Sequence, residues 1–254
     1  MTDSPRDYPA AAAVRGRVEP APRRVRGFLG DELVFDTVSA RYVWEVPYYP
    51  QYYVPLSDVR PEFVRDEQHA QRTQFGASRT YELVGASGSH PKAARVFDDG
   101  DLAGLVRFEW DLLTWFEEDE PIYGHPRNPY ARVDALRSHR HVVVMLDGVT
   151  LADTTSPVLV FETGLPTRYY LDKTDVAFTH LEASETRTLC PYKGVTTEYW
   201  SVRVGEAVHQ DLAWSYHYPL PAVGAIAGLV AFYNEKVDIT VDGVPLARPQ
   251  TQFS

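Results

Sequence analysis

One pair of stretches decides the fold: WEVPYYPQYYVPLSDV at residues 44–59 and FETGLPTRYYLDKTDV at residues 161–176. Laid over each other, they set Glu45 on Glu162, Tyr52-Tyr53 on Tyr169-Tyr170 and Asp58-Val59 on Asp175-Val176. The match runs without a gap from 27–59 to 144–176. Downstream, QRTQF (71–75) pairs with TRTLC (186–190), DLLTW (111–115) with DLAWS (211–215), and YARVDAL (130–136) with YNEKVDI (233–239). A period of about a hundred residues is too long for a solenoid repeat and is the size of a domain. The chain therefore reads as two divergent copies of one fold. Duplicated domains commonly inherit a symmetric dimer interface, so an approximate two-fold between the copies is expected.

Composition points to β structure. The 254 residues include 16 Tyr and 11 Phe, which favour strands, and 19 Pro, which oppose long helices. A net charge of −10 repels a phosphate backbone, and no basic stripe interleaved with aromatics overrides it, so nucleic acid is not an expected partner. The single cysteine cannot form an internal disulfide, and no apolar run approaches a membrane span. With no secretory signal in view, a soluble cytoplasmic protein without a membrane partner is expected, as a monomer or dimer of the fused pair.

Residues 1–24 lack apolar periodicity and read as a disordered leader. The first repeat then spans 25–138 and the second 139–254. Residues 85–104, rich in Gly, Ser and Asp, read as an insertion or long surface loop of the first repeat. In the second, VVVML (142–146), Asp147-Gly148 and VTLA (149–152) spell a hairpin, because Asp-Gly accepts the positive φ of a type I′ turn. VLVF (158–161), EYWSVRV (198–204) and VDITV (237–241) read as further strands. Short helices are expected at 61–70 and 221–230.

The densest chemistry is TRTLCPYKG (186–194). The Cys-Pro step is pushed out of the helical region, and Gly194 allows a reversal. Such a turn can present the Cys190 thiol, the Tyr192 phenol and the Lys193 ammonium together. A neighbouring ammonium favours the nucleophilic thiolate, so Cys190 and Lys193 are the candidate catalytic pair. The first repeat has Phe75 where Cys190 stands and no Pro-Tyr-Lys turn. Arg168 and Tyr170, two apart in an extended run, share a face and could cradle a carboxylate or phosphate; Gln51 replaces Arg168 in the first repeat. Trp214, Tyr216 and Tyr233 complete an aromatic wall suited to a ligand cleft, with His217 and Tyr218 in the same run. The acidic run Glu117 to Glu120 reads as a solvated loop. One cysteine excludes paired-thiolate metal sites, and glycine-rich phosphate loops and a G-x-S-x-G elbow are missing, so neither a metal nor a cofactor is expected.

Four motifs in order, FETGLPTRYYLDKTDV, TRTLCPYKGVTTEYW, DLAWSY and AFYNEKVDITVDG, resemble the domain-of-unknown-function 427 family, here in tandem. The resemblance implies an Mss4-like, or β-tent, fold: mainly β, with two tandem antiparallel units. Zinc-bearing relatives of that class use paired cysteines, which this chain lacks. A nucleotidyltransferase-like label attached to the family would require a Gly-Ser followed by a D-x-D step, and Gly88-Ser89 is followed by none.

Two functions fit these residues. The first is a small-molecule site in the second repeat, its ligand anionic, with Cys190 as nucleophile or Lys193 and a tyrosine transferring protons. The alternative is a non-catalytic module that binds a peptide or protein through its aromatic surface.

Overall fold

The computed structural model describes residues 15–251 and 253–254. They divide into a first unit ending at Pro129 and a second beginning at Tyr130. The first unit contains β1 (Val18–Pro20), β2 (Val25–Leu29), β3 (Glu32–Thr37), β4 (Arg41–Val46), β5 (Tyr49–Pro55), β6 (Val64–Thr73), β7 (Gly76–Gly85), β8 (Gly88–Phe97), β9 (Leu105–Phe108), β10 (Thr114–Glu117) and β11 (Glu120–Ile122). They form a seven-stranded sheet, β1-β4-β5-β9-β8-β7-β6, and a four-stranded one, β11-β10-β2-β3, in which every pairing is antiparallel.

The second unit contains β12 (Val133–Arg137), β13 (Val142–Leu146), β14 (Val149–Thr154), β15 (Val158–Glu162), β16 (Arg168–Leu171), β17 (Leu181–Ser184), β18 (Leu189–Cys190), β19 (Gly194–Val195), β20 (Glu198–Val204), β21 (Ala207–Ser215), β22 (Val230–Phe232), β23 (Asp238–Val241) and β24 (Val244–Pro245). Its sheets run β12-β15-β16-β22-β21-β20-β17 and β14-β13-β23-β24, with β18-β19 as a separate hairpin. Strand by strand this is the order of the first unit. The register agrees as well: Val18 faces Val43 in one unit, and Ala135 faces Val160 in the other. The duplication seen in the sequence is a duplication of topology.

Local chemistry explains the hairpins. Asp147-Gly148 and Asp242-Gly243 both have positive φ at both positions (49° and 81°, 53° and 78°), as type I′ turns require. Alternation then sorts the side chains. In the second unit Val142 and Val144 of β13 and Ile239 and Val241 of β23 pack with Leu171, Val202, Leu212 and Phe232 of the large sheet, so the main core lies between the two sheets. Each such fully buried aliphatic side chain contributes about 1.5–3 kcal/mol relative to exposure. The other face of the large sheet carries a second apolar layer, with Tyr170, Tyr199, Trp214 and Ala231 under Val223 and Ile226 of a 3-10 segment, Pro221–Ile226.

Several expectations need correction. Residues 1–14 of the expected leader lie outside the described residues, but 15–24 are part of the first sheet. Trp44 donates its amide to Arg17 O, β1 pairs with β4, and Ala21 is buried. The repeat boundary also moves, because β12 at 133–137 opens the second large sheet rather than closing the first unit. It corresponds to β1, so the match of 130–136 with 233–239 is not structural. Likewise Trp115 lies on β10 of a small sheet, and Trp214 on β21 of a large one. Half of the stretch 85–104 is β8, a strand inside the first large sheet whose counterpart is β21. The helices expected at 61–70 and 221–230 are 3-10 turns that run into strands β6 and β22. A single turn satisfies the geometry there, and the sheet takes up the remaining backbone groups.

The acidic run is not a plain solvated loop. Glu117 is buried, ion-paired with Arg23, and accepts a hydrogen bond from Tyr52 Oη at 2.8 Å.

Candidate functional site

The site grows from one row of cross-strand neighbours on the outer face of the second large sheet: Tyr199 on β20, Trp214 on β21, Ala231 on β22 and Tyr170 on β16. Their polar tips are joined. Trp214 Nε1 donates to Tyr170 Oη at 3.2 Å, and the Tyr199 and Tyr233 hydroxyls are 2.6 Å apart. The Trp214 and Tyr233 rings lie 4.5 Å apart.

Over this face folds the segment 185–197, where the first unit has only the tight β6-β7 hairpin. Gly194, at φ 100°, supplies the left-handed backbone that closes β18 onto β19. Leu220 N anchors the turn by donating to Lys193 O at 3.0 Å. The turn sends Lys193 inward. Its ammonium is buried, ion-paired with Glu162 at the end of β15, and 3.8 Å from Cys190 Sγ. Burial alone would lower the Lys193 pKa; Glu162, with smaller effects from Cys190 and Tyr170, outweighs it and leaves the ammonium above its ordinary range. Burial pushes the Tyr170 phenol up, to about 12 against the pull of Lys193. It raises Tyr216, which is also buried, well above its ordinary value. Cys190 itself is partly exposed.

The structure thus brings Cys190, Lys193, Tyr170, Trp214, Tyr216 and Tyr233 to one region. Tyr192, in the same turn, is half-buried. Arg168 shares the face with Tyr170, as expected, but its charge is already met. Its Nη1 and Nη2 donate to Glu235 Oε2 and Oε1 at 2.6 and 2.7 Å, and Nη1 also donates to Asn234 Oδ1. The Trp214, Tyr233 and Phe253 rings surround the guanidinium at 5.6–5.9 Å. The anion cradle expected at Arg168 is therefore an internal ion pair. His217 and Tyr218 leave the site: His217 pairs with Glu198 at 2.7 Å beside Lys173, and Tyr218 is 85% exposed.

Glu162 was missed as a functional residue. Its signal was present, since Glu45 falls on it in the duplicated stretch. Glu45 also holds a cation, accepting from Arg107 Nε at 3.2 Å and from Tyr53 Oη at 3.0 Å. The two units keep the acid and draw the cation from different elements, Arg107 from β9 and Lys193 from the β18-β19 turn. Beside Glu162 a surface cavity of about 250 Å³ opens between Arg132, Phe161 and Thr167.

A family model described as Domain of unknown function (DUF427) matches twice, over residues 17–108 and 134–243. The chain belongs to this family. Each DUF427 match falls in one unit, starting at the edge strand β1 in the first and β12 in the second. This agrees with the corrected boundary rather than with a start at 25 and 139. No curated protein matches the chain. Among the described residues no helix is long and apolar enough to cross a membrane.

Proposed function

We propose that the second DUF427 unit is a small-molecule site in which Cys190 is the nucleophile and the buried Lys193 ammonium supports its thiolate. The 3.8 Å approach of Nζ to Sγ carries this reading. A cation that close favours the charged form of the thiol, and Glu162 fixes the ammonium in place. The same geometry disfavours proton transfer by Lys193 or a tyrosine, because Lys193 is held protonated and burial keeps Tyr170 and Tyr216 neutral. Cys190 gives its proton to solvent, and the thiolate Sγ adds to the β-carbon of an α,β-unsaturated acid as the C=C π bond breaks and the α-carbon takes a proton from solvent. An anionic ligand is part of the proposal, as are the β-tent likeness and the cytoplasmic setting.

Intact-mass spectrometry after incubation with iodoacetamide and with a panel of small electrophilic acids tests it. One adduct, on the Cys190 peptide, formed faster than on the unfolded chain, is the expected result. An unreactive Cys190 in the folded protein overturns the nucleophile role.

A second reading has one observation in its favour: Leu189 and Tyr218, flanking the Cys190 turn, are 56% and 85% exposed. Such side chains suit a protein partner. The replacement of both by serine separates the readings, because it removes partner binding and leaves alkylation of Cys190 unchanged.

A further inference from the structure

The first unit is not a depleted copy of the second. The sheet row equivalent to Tyr199–Trp214–Ala231–Tyr170 is Thr80 on β7, Arg95 on β8, Arg107 on β9 and Tyr53 on β5, with His69 of β6 beyond Thr80. An aromatic face in one unit is a cationic face in the other. Two arginines directly opposite each other across a strand pair repel. Arg107 is relieved by Glu45 and Glu109. Arg95 makes no ion pair among the described residues.

A cavity of about 160 Å³ opens beside Arg95, lined also by His69, Gln71, Thr80, Lys92 and Glu109. Three buried polar atoms of the residues that line it have no hydrogen-bond partner: Arg95 Nε, Gln71 Nε2 and Thr80 Oγ1. Thr80 is only 7% exposed. Nε and Nε2 can only donate, and the hydroxyl can donate. Leaving such groups buried and unmatched is destabilising, so three on the residues around one cavity describe a site shaped for an acceptor. Lys92 stands exposed among the lining residues and adds positive charge. Glu109, the acid among the lining residues, is turned to Arg107. Bulges at Gln68 and Lys92, both with positive φ, break the ladders that β6 and β8 make with β7, both on the Tyr81–Leu83 side of this row, a device that re-aims side chains at functional positions.

We propose that the first unit binds a small oxyanion, the phosphate or carboxylate group of a metabolite, with Arg95 as its charged anchor and Gln71 and Thr80 as neutral donors. The two units would then hold different sites on equivalent faces, independently of whether Cys190 is reactive. The anion fits because Arg95 has an unmatched charge and the neighbouring donors are unmatched in the same direction.

Isothermal titration of the full chain with inorganic phosphate and, separately, with acetate, at low salt, tests this. Saturable binding to one site is expected, weakened at least about tenfold by Arg95→Met, which keeps the side-chain stem and removes the charge, and weakened to a lesser degree by Gln71→Leu. Arg65→Met, at an exposed arginine on the neighbouring strand β6, should bind as the wild type does. Tighter phosphate than acetate assigns a phosphate group; the reverse assigns a carboxylate. Failure of the wild type to saturate with either anion at a Kd of about 1 mM or tighter, or equal binding by a folded Arg95→Met, overturns the proposal and leaves water to satisfy these donors.

Discussion

Replacing Lys193 and Glu162 one at a time should move the reactivity of Cys190 in opposite directions. At 3.8 Å and an effective dielectric of ~20, the ammonium stabilises a thiolate by about 4 kcal/mol. Glu162, in contact with the same ammonium, acts with opposite sign, and the partial exposure of Cys190 screens both. The two charges partly cancel, so the pair together acts less strongly than the ammonium alone. Lys193→Met, which removes the ammonium and leaves Glu162 in place, should therefore slow iodoacetamide alkylation at pH 7 by about tenfold or more, and Glu162→Gln should speed it. Stability complicates the first variant, since it leaves a largely buried carboxylate unpaired, which costs about 3–5 kcal/mol. The double variant Glu162→Gln/Lys193→Met removes that penalty and should alkylate slowly while melting near the wild type. The assay is the pseudo-first-order rate by mass spectrometry, with folding checked by circular dichroism. Equal rates in wild type, Lys193→Met and the folded double variant would refute an electrostatic role for Lys193.

Three further outcomes follow from the packing. Arg168→Met strands Glu235, whose side chain is fully buried, so urea unfolding should show a loss of about 3–5 kcal/mol; a loss below 1 kcal/mol would mean water already reaches the carboxylate. Burial raises the Glu235 pKa, but the Arg168 and Thr251 hydrogen bonds outweigh it and hold the carboxyl below its ordinary range. The wild type should therefore keep this contribution above the unfolded carboxyl value of ~4.3 and lose it as pH falls through the lower folded value. The difference between wild type and Arg168→Met, measured by urea titration at pH 7 and pH 3, should shrink at the lower pH. Deleting residues 1–24 removes β1, exposes the neighbours of Ala21 and leaves Glu117 without Arg23; a loss of about 2 kcal/mol or more lowers Tm by roughly 5 °C or more, and an unchanged Tm would show β1 to be dispensable. Gly27→Ala places a methyl group into the ring of Phe35, which packs against Phe108 and Trp115, so calorimetry should find a destabilisation of about 1–3 kcal/mol.

What the sequence determined by itself was local or repeated. The duplication was visible because a Tyr-Tyr pair and the Asp-Val that follows it survive in both copies in the same order. The I′ hairpins were visible because the two residues that need positive φ sit side by side at 147–148 and 242–243. The Cys190–Lys193 pairing was legible for the same reason, as two residues three apart in one turn. What only tertiary structure decided was set by strand register. Trp115 and Trp214 looked equivalent until one joined a small sheet and the other a large one. Glu162 and Lys193 meet across 31 residues, and Arg168 is claimed by Glu235 across 67. Thr80, Arg95, Arg107 and Tyr53 form a row only because three antiparallel ladders align them. Periodicity tells which side of a strand a residue faces. It does not tell which strand lies alongside, because that choice is made by burial and hydrogen bonding over the whole sheet.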